Sequence, residues 1–284
     1  MSNHTVNRRQ MCKTLLACGT ATLTGAAAYG QQPPRPQDAE ELDQRLLDAA
    51  RRGATMEEIA KLRDPIATTP AEALRALKTG NARFFGGRAR RPEMSAAERR
   101  AQILGQTPFA VILSCADSRV PTEIVFDQSL GSLFITRVAG NVVDSGTLGS
   151  IEYGIEHLKT HLVVIMGHEG CGAIKAALLP AAERAKETPS IQALLDQIVP
   201  SVASIPKIRD EKAKMREAVI ANVRQQVQNI KKSTSVQRGV ARKSLAVIGA
   251  FYEITSGAVD FFETEEELRL AQTSDRDRWR AHLG

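Results

Sequence analysis

Cys115, Asp117 and Arg119 stand at alternate positions just past one apolar run, and His168 and Cys171 follow a second run some fifty residues later. The runs are Phe109–Ser114 and His161–Met166. Both have strand length, carry β-branched residues and show no polar alternation, as expected of parallel strands buried on both faces. Open α/β sheets place their sites at the carboxyl ends of such strands. Two thiols and one imidazole arriving there form a Cys2His donor set, which zinc accepts in tetrahedral geometry with a fourth position left for water.

The spacing His168-Glu169-Gly170-Cys171 lets two neighbouring ligands reach one ion at a strand-to-helix turn, and Gly167, Gly170 and Gly172 suit the turn and a close backbone approach. Cys171 would open a helix through Ile174–Leu179, whose dipole favours a thiolate. Two thiolates cancel the charge of Zn2+, so a water on that ion loses its proton more readily with a carboxylate at hand. Asp117 could accept that proton, and the Arg119 guanidinium would keep it ionised and off the metal. Alternate spacing would put Cys115, Asp117 and Arg119 on one side of an extended stretch. The same residues also fit plainer arrangements: a disulfide or buried pair between Cys115 and Cys171, a redox dithiol, and a surface Asp–Arg pair. His157, His161 and His282 lack such company and read as structural or surface residues.

The elements that must position these groups alternate along the chain. Thr69-Pro70-Ala71-Glu72 opens a helix that turns Leu74, Leu77 and Phe84 inward, and Ser95-Ala96-Ala97-Glu98 is a capping box. Strands are predicted over 109–115, 132–137 and 161–166, with a short helix from Pro121 and another over 146–159 between them. Ile191, Leu194, Leu195 and Ile198 mark an amphipathic helix, and a long charged helix spans about 207–232 with Met215, Val219, Val223, Val227 and Ile230 on its apolar face. A strand over 245–252 precedes a hairpin partner around 257–262. The fold class is α/β, a mostly parallel sheet flanked by helices, in a single catalytic domain with an N-terminal helical arm.

Composition is that of a soluble globular chain, 43% apolar and 25% charged. Arg8, Arg9 and Lys13 with no acid in residues 1–30 leave only +3 of the net +6 to the rest, which gives no footing for a nucleic-acid partner. Residues 1–30 resemble a twin-arginine signal peptide: paired arginines, a dilute apolar run from Thr14 to Ala28, and small residues up to Gly30. That run is too short and weak for stable membrane insertion, so a periplasmic location is expected. Cys12 and Cys18 fall inside it, so the mature chain would keep Cys115 and Cys171 alone. A Pro/Gln linker and helical arm occupy 31–66, with Leu42, Leu46 and Leu47 on one face; the catalytic domain follows over 67–263 and a charged tail over 264–284.

Together, Cys115-Ala116-Asp117-Ser118-Arg119 and Gly167-His168-Glu169-Gly170-Cys171-Gly172 resemble the paired motifs of the β-class carbonic anhydrases, zinc enzymes that interconvert carbon dioxide and bicarbonate. The similarity runs from Leu77–Phe84 to Tyr252 and takes in Phe134–Arg137 and Gly140-Asn141. It implies one Zn2+ per chain on Cys115, His168 and Cys171, with Asp117 and Arg119 as the catalytic pair. It further implies Gln106 as a substrate contact in a site shared between subunits, the Gly172 N–H offered to bicarbonate, and a homodimer or higher homo-oligomer gripped by the arm. Ala116 replaces a commoner serine. Ile112 replaces a tryptophan that helps build a second, regulatory bicarbonate site in some members, whose other parts Arg137 and Tyr252 roughly match. Glu169 is open to two readings, a proton acceptor or a solvated turn residue. Relatives on this fold that hydrolyse carbon disulfide or carbonyl sulfide, and a zinc-holding protein without catalysis, are the competing functional readings.

Overall fold

A computed structural model describes residues 48, 51–53, 67–90 and 106–262, all within the unit Gln44–Gly284. The expected signal peptide, the linker and most of the arm, the Ser95 capping box, His282 and the charged tail lie outside the described residues. Five strands form one sheet: β1 (Ala110–Ser114), β2 (Leu133–Arg137), β3 (Leu162–His168), β4 (Ala246–Tyr252) and β5 (Val259–Phe262). Their order is β2-β1-β3-β4-β5, parallel except for the antiparallel β4–β5 hairpin.

The missing alternation in the strand sequences has a simple cause, since both faces of the sheet are covered. Val111 and Leu113 of β1 join Val163 and Ile165 of β3 on one face, and Ala110 and Ile112 join Leu162 and Val164 on the other. The first face is covered by α3 (Ser145–Glu156), α8 (Glu211–Ile230) and α9 (Thr234–Ala241), through Ile151, Val219, Val223, Val227 and Val236. The second is covered by α1 (Pro70–Phe85) and α2 (Thr122–Val125), through Ala73, Leu77 and Val125. On α1, Leu77 is fully buried while Leu74 and Phe84 are only partly so.

Capping fixes the helix starts. Thr69 accepts from the Glu72 N–H with Pro70 in the first turn, Asp144 forms a capping box with Thr147, and Asp210 accepts from Ala213. Between β3 and α8 lie four short helices: α4 (Gly172–Ala177), α5 (Ala181–Arg184), α6 (Pro189–Asp196) and α7 (Val199–Val202). Helix α4 stops short of the expected Leu179. Helix α3 likewise ends before the expected residue 159, because Lys159 adopts φ 56 and the Thr160 N–H turns back to the Gly154 carbonyl. Strand β3 runs two residues beyond expectation and carries His168 itself.

Helix α1 is clamped tightly. Asn81 donates to the carbonyls of Val125 and Gly257 at 3.1 and 2.9 Å and accepts from the Val259 N–H at 2.9 Å. At Gly80 the helix approaches so closely that a Cβ would stand 1.8 Å from the Phe126 carbonyl oxygen. Backbone cannot give way there, so Gly80→Ala should cost about 3 kcal/mol and lower Tm by roughly 10 °C. Gly149→Ala on α3 has open space for its Cβ and should be neutral or slightly stabilising. Equal melting of the two variants by circular dichroism would contradict this packing.

Candidate metal centre

The chain crosses from β1 to β2 on one side and returns over β1 to β3 on the other, so the order reverses between β1 and β3. Ligand sites of open α/β sheets form at such a point, outside the carboxyl ends of the strands. Cys115 follows β1 there, His168 ends β3, and Cys171 caps the start of α4. All three are buried, and one donor atom from each lies within 4.8 Å of the others.

Their chemistry fits a metal. The two sulfurs stand 4.0 Å apart; sulfurs sharing one tetrahedral zinc at its usual bond length stand about 3.8 Å apart. Nδ1 of His168 lies 2.9 Å from the Glu169 carbonyl oxygen, which can only accept, so Nδ1 carries the proton and Nε2 the lone pair. That Nε2 is buried with no hydrogen-bond partner among the described residues, a costly state for a polar atom unless a ligand takes it up. The hydrogen bond from Cys171 holds Cys115 towards its thiolate form against the opposing effect of burial, and the same shared proton, with burial, pushes Cys171 up. The Gly140 N–H also donates to the Cys115 sulfur, at 3.3 Å.

Asp117 sits over this cluster, with Oδ2 3.9 Å from His168 Nε2. Arg119 grips it as a fork: Nε to Oδ1 at 2.9 Å and Nη2 to Oδ2 at 2.7 Å, with the Arg119 N–H adding 2.9 Å to Oδ1. Those bonds hold the Asp117 carboxyl far below the ordinary carboxylate range, against desolvation. The alternating, extended stretch expected for this pair is not what forms. Residues 117–120 make a turn closed by Val120 N–H to Asp117 carbonyl at 3.0 Å, and the Asp117 side chain satisfies the backbone within it. Arg137, at the end of β2, braces the loop by donating to the Cys115 carbonyl at 2.8 Å and to the Asp117 carbonyl.

The remaining expected site residues are less engaged. Gly172 is exposed, with open space where a Cβ would stand, so nothing among the described residues demands glycine there; Gly170, at φ 66, is the one the turn requires. Gln106 is exposed, and among the described residues no hydrogen bond ties it to the cluster. Glu169 is partly exposed but not free: Thr255 donates to its carboxylate from N–H and hydroxyl at 3.0 and 2.7 Å, and Lys212 approaches to 3.6 Å. It fastens the end of β3 to the β4–β5 turn. His157 is exposed and tilts against Tyr153, and His161 lies 3.2 Å from the Ser244 carbonyl, in keeping with surface or structural roles. Sequence reasoning missed the Gly140 contact to sulfur and the brace from Arg137; no local pattern encodes contacts across 25 and 22 residues.

Comparison with known proteins agrees with this geometry. A family model described as carbonic anhydrase matches residues 110–259. Carbonic anhydrase 2 of Mycobacterium tuberculosis is 39% identical over 191 residues, covering 67% of this chain and 91% of that protein. A carbonic anhydrase of Mycolicibacterium smegmatis is 34% identical over 198 residues, covering 68% and 93%. Among solved structures, a tetrameric β-carbonic anhydrase of Sordaria macrospora superposes with a TM-score of 0.54 at 24% identity, covering 67% of this chain and 96% of that one; that likeness speaks for the fold.

Proposed function

The chain belongs to the carbonic anhydrase family, in its β-class, and from that premise we propose that it catalyses the reversible hydration of carbon dioxide to bicarbonate and a proton. The observation that carries the proposal is the buried, partnerless Nε2 of His168 facing two sulfurs, with an Arg-held carboxylate beside it. Cys115, His168 and Cys171 would hold one zinc ion, which when bound supplies Lewis acidity that lowers the pKa of a water at its open position. The other tasks fall to the chain itself. Asp117, kept ionised by Arg119, accepts a hydrogen bond at its carboxylate and so orients the donor towards carbon dioxide. The Arg119 fork occupies both Asp117 oxygens, which keeps that carboxylate from becoming a ligand. The Gly172 N–H, exposed at the start of α4, suits a bicarbonate oxygen, and Gln106 suits a site completed by a second subunit of a homodimer.

Nothing favours a second, regulatory bicarbonate site. Ile112 is fully buried against the α1 face, and the Arg137 guanidinium is taken up by the Cys115 and Asp117 carbonyls. Among the described residues no helix is long and apolar enough to cross a membrane. Export through residues 1–30 belongs to the same proposal; fractionation that finds the mature chain in the cytosol removes that part.

Metal analysis beside stopped-flow carbon dioxide hydration tests the reading. Zinc near one ion per chain and turnover abolished by a chelator are expected. Zinc without turnover would make the site structural, and faster hydrolysis of carbonyl sulfide would reassign the substrate.

A further inference from the structure

We infer that Asn222, on α8, is a positioning residue for the Cys115 sulfur, acting through the backbone of Gly140. The inference rests on the zinc reading above and extends it to residues outside the ligand set. Gly140 sits in the turn after β2 at φ 70 and ψ 15, where its N–H points at the Cys115 sulfur and its carbonyl points the other way. Asn222 Nδ2 donates to that carbonyl at 2.9 Å.

Neither partner has freedom to do otherwise. A Cβ on Gly140 would stand 2.6 Å from Ile198 Cδ1 and 3.2 Å from Ala173 Cβ, so the turn is wedged between α4 and the residue before α7. The Asn222 amide is fully buried, and its oxygen accepts from Gln226 Nε2 at 3.1 Å, while the Ser201 hydroxyl, whose proton goes to the Ile198 carbonyl at 2.7 Å, lies 3.4 Å away. Gln226 is held in turn by the Val143 N–H, which donates to its Oε1 at 3.0 Å. With Gln226 donating to its oxygen and a carbonyl that can only accept on its other side, Asn222 presents nitrogen to Gly140. The helix thus fixes the carbonyl end of one glycine, and the glycine delivers its N–H to a ligand sulfur. A hydrogen bond to a thiolate lowers its donor energy and fixes its direction, and such outer contacts commonly carry a ten- to hundred-fold share of metal affinity, in rough terms.

The test uses the zinc-loaded and cobalt(II)-substituted enzyme. Asn222→Leu keeps the branching of the side chain and removes the donor; Asn222→Ala removes it and leaves room for water. Both should release zinc to a competing chelator with an affinity weakened roughly ten-fold or more, and their cobalt–sulfur charge-transfer band should move to lower energy, because a thiolate freed of a hydrogen bond gives up electrons more easily. Val227→Ala on the same helix, which disturbs the core alone, should lower Tm and move neither quantity. In the native enzyme loaded with NMR-active cadmium, the Gly140 amide proton should couple to the metal through the sulfur, a readout that needs no variant to fold. Native affinity and an unmoved band in the Asn222 variants, or no such coupling in a native enzyme that binds metal, would overturn this inference alone. A native chain that takes up no metal would overturn the zinc reading and this inference with it.

Discussion

Asp117→Asn is expected to retain zinc near one ion per chain and to lose turnover by roughly a hundred- to ten-thousand-fold. The amide matches the carboxylate in shape, so the turn over residues 117–120 can persist. What it loses is chemical. A neutral amide keeps one oxygen as a weaker acceptor, and its NH2 would face the Arg119 guanidinium, donor against donor, where the carboxylate now accepts a fork at 2.9 and 2.7 Å. Atomic absorption beside stopped-flow hydration separates the effects, and full activity with full metal would discard the role given to Asp117. Arg119→Met probes the same pair from the other side. Arg119 holds Asp117 well below its usual value, so the native carboxylate stays ionised at any pH where the enzyme works. A depressed folded value gives stability that is present above the unfolded value, about 3.9, and lost as pH falls below it. The variant should therefore lose less stability on acidification below about pH 4 than the native chain does, measured as Tm against pH. Identical acid limbs would contradict the fork.

How much of this was legible in the sequence depends on how local the cause is. The strands were legible because burial on both faces removes alternation, and Val111 and Ile112 do face opposite cores. The three donor residues were legible as a set because each ends or follows a strand; that β1 and β3 lie side by side is set by the strand order, which no local pattern encodes. The cap at Thr69 acts within one helical turn, whereas the long helix expected from about 207 starts at Glu211 behind an Asp210 cap that went unread. The turn over 117–120 was misjudged because strand periodicity was carried past the point where the ladder stops, at Ser114. Helix α9 was missed for a different reason. Its sequence includes Gly239, a poor helix former, yet a Cβ there would lie 2.8 Å from Leu245 Cβ, so close packing rather than propensity selects the residue. The amide of Asn222 and the carbonyl of Gly140 are 82 residues apart, and no spacing rule joins them.

Removing zinc should both abolish turnover and lower Tm by roughly 10 °C. The site without its ion is an unfavourable arrangement: His168 Nε2 is buried without a partner, and two buried sulfurs 4.0 Å apart contend for protons. A ligand at about a thousand times its dissociation constant stabilises the folded state by about 4 kcal/mol. At roughly 2–4 °C per kcal/mol for a domain of this size, that is a shift easily seen by calorimetry. Cys171→Ser locates the effect. It removes one ligand with little change in volume, so the variant should melt near the chelated native protein whether or not zinc is added. The coupling arises because the donors come from the ends of β1 and β3 and the start of α4, which unfolding scatters, so zinc binds the folded chain far better than the unfolded one. Native protein that melts at one temperature with and without a chelator would mean that these three side chains hold no ion.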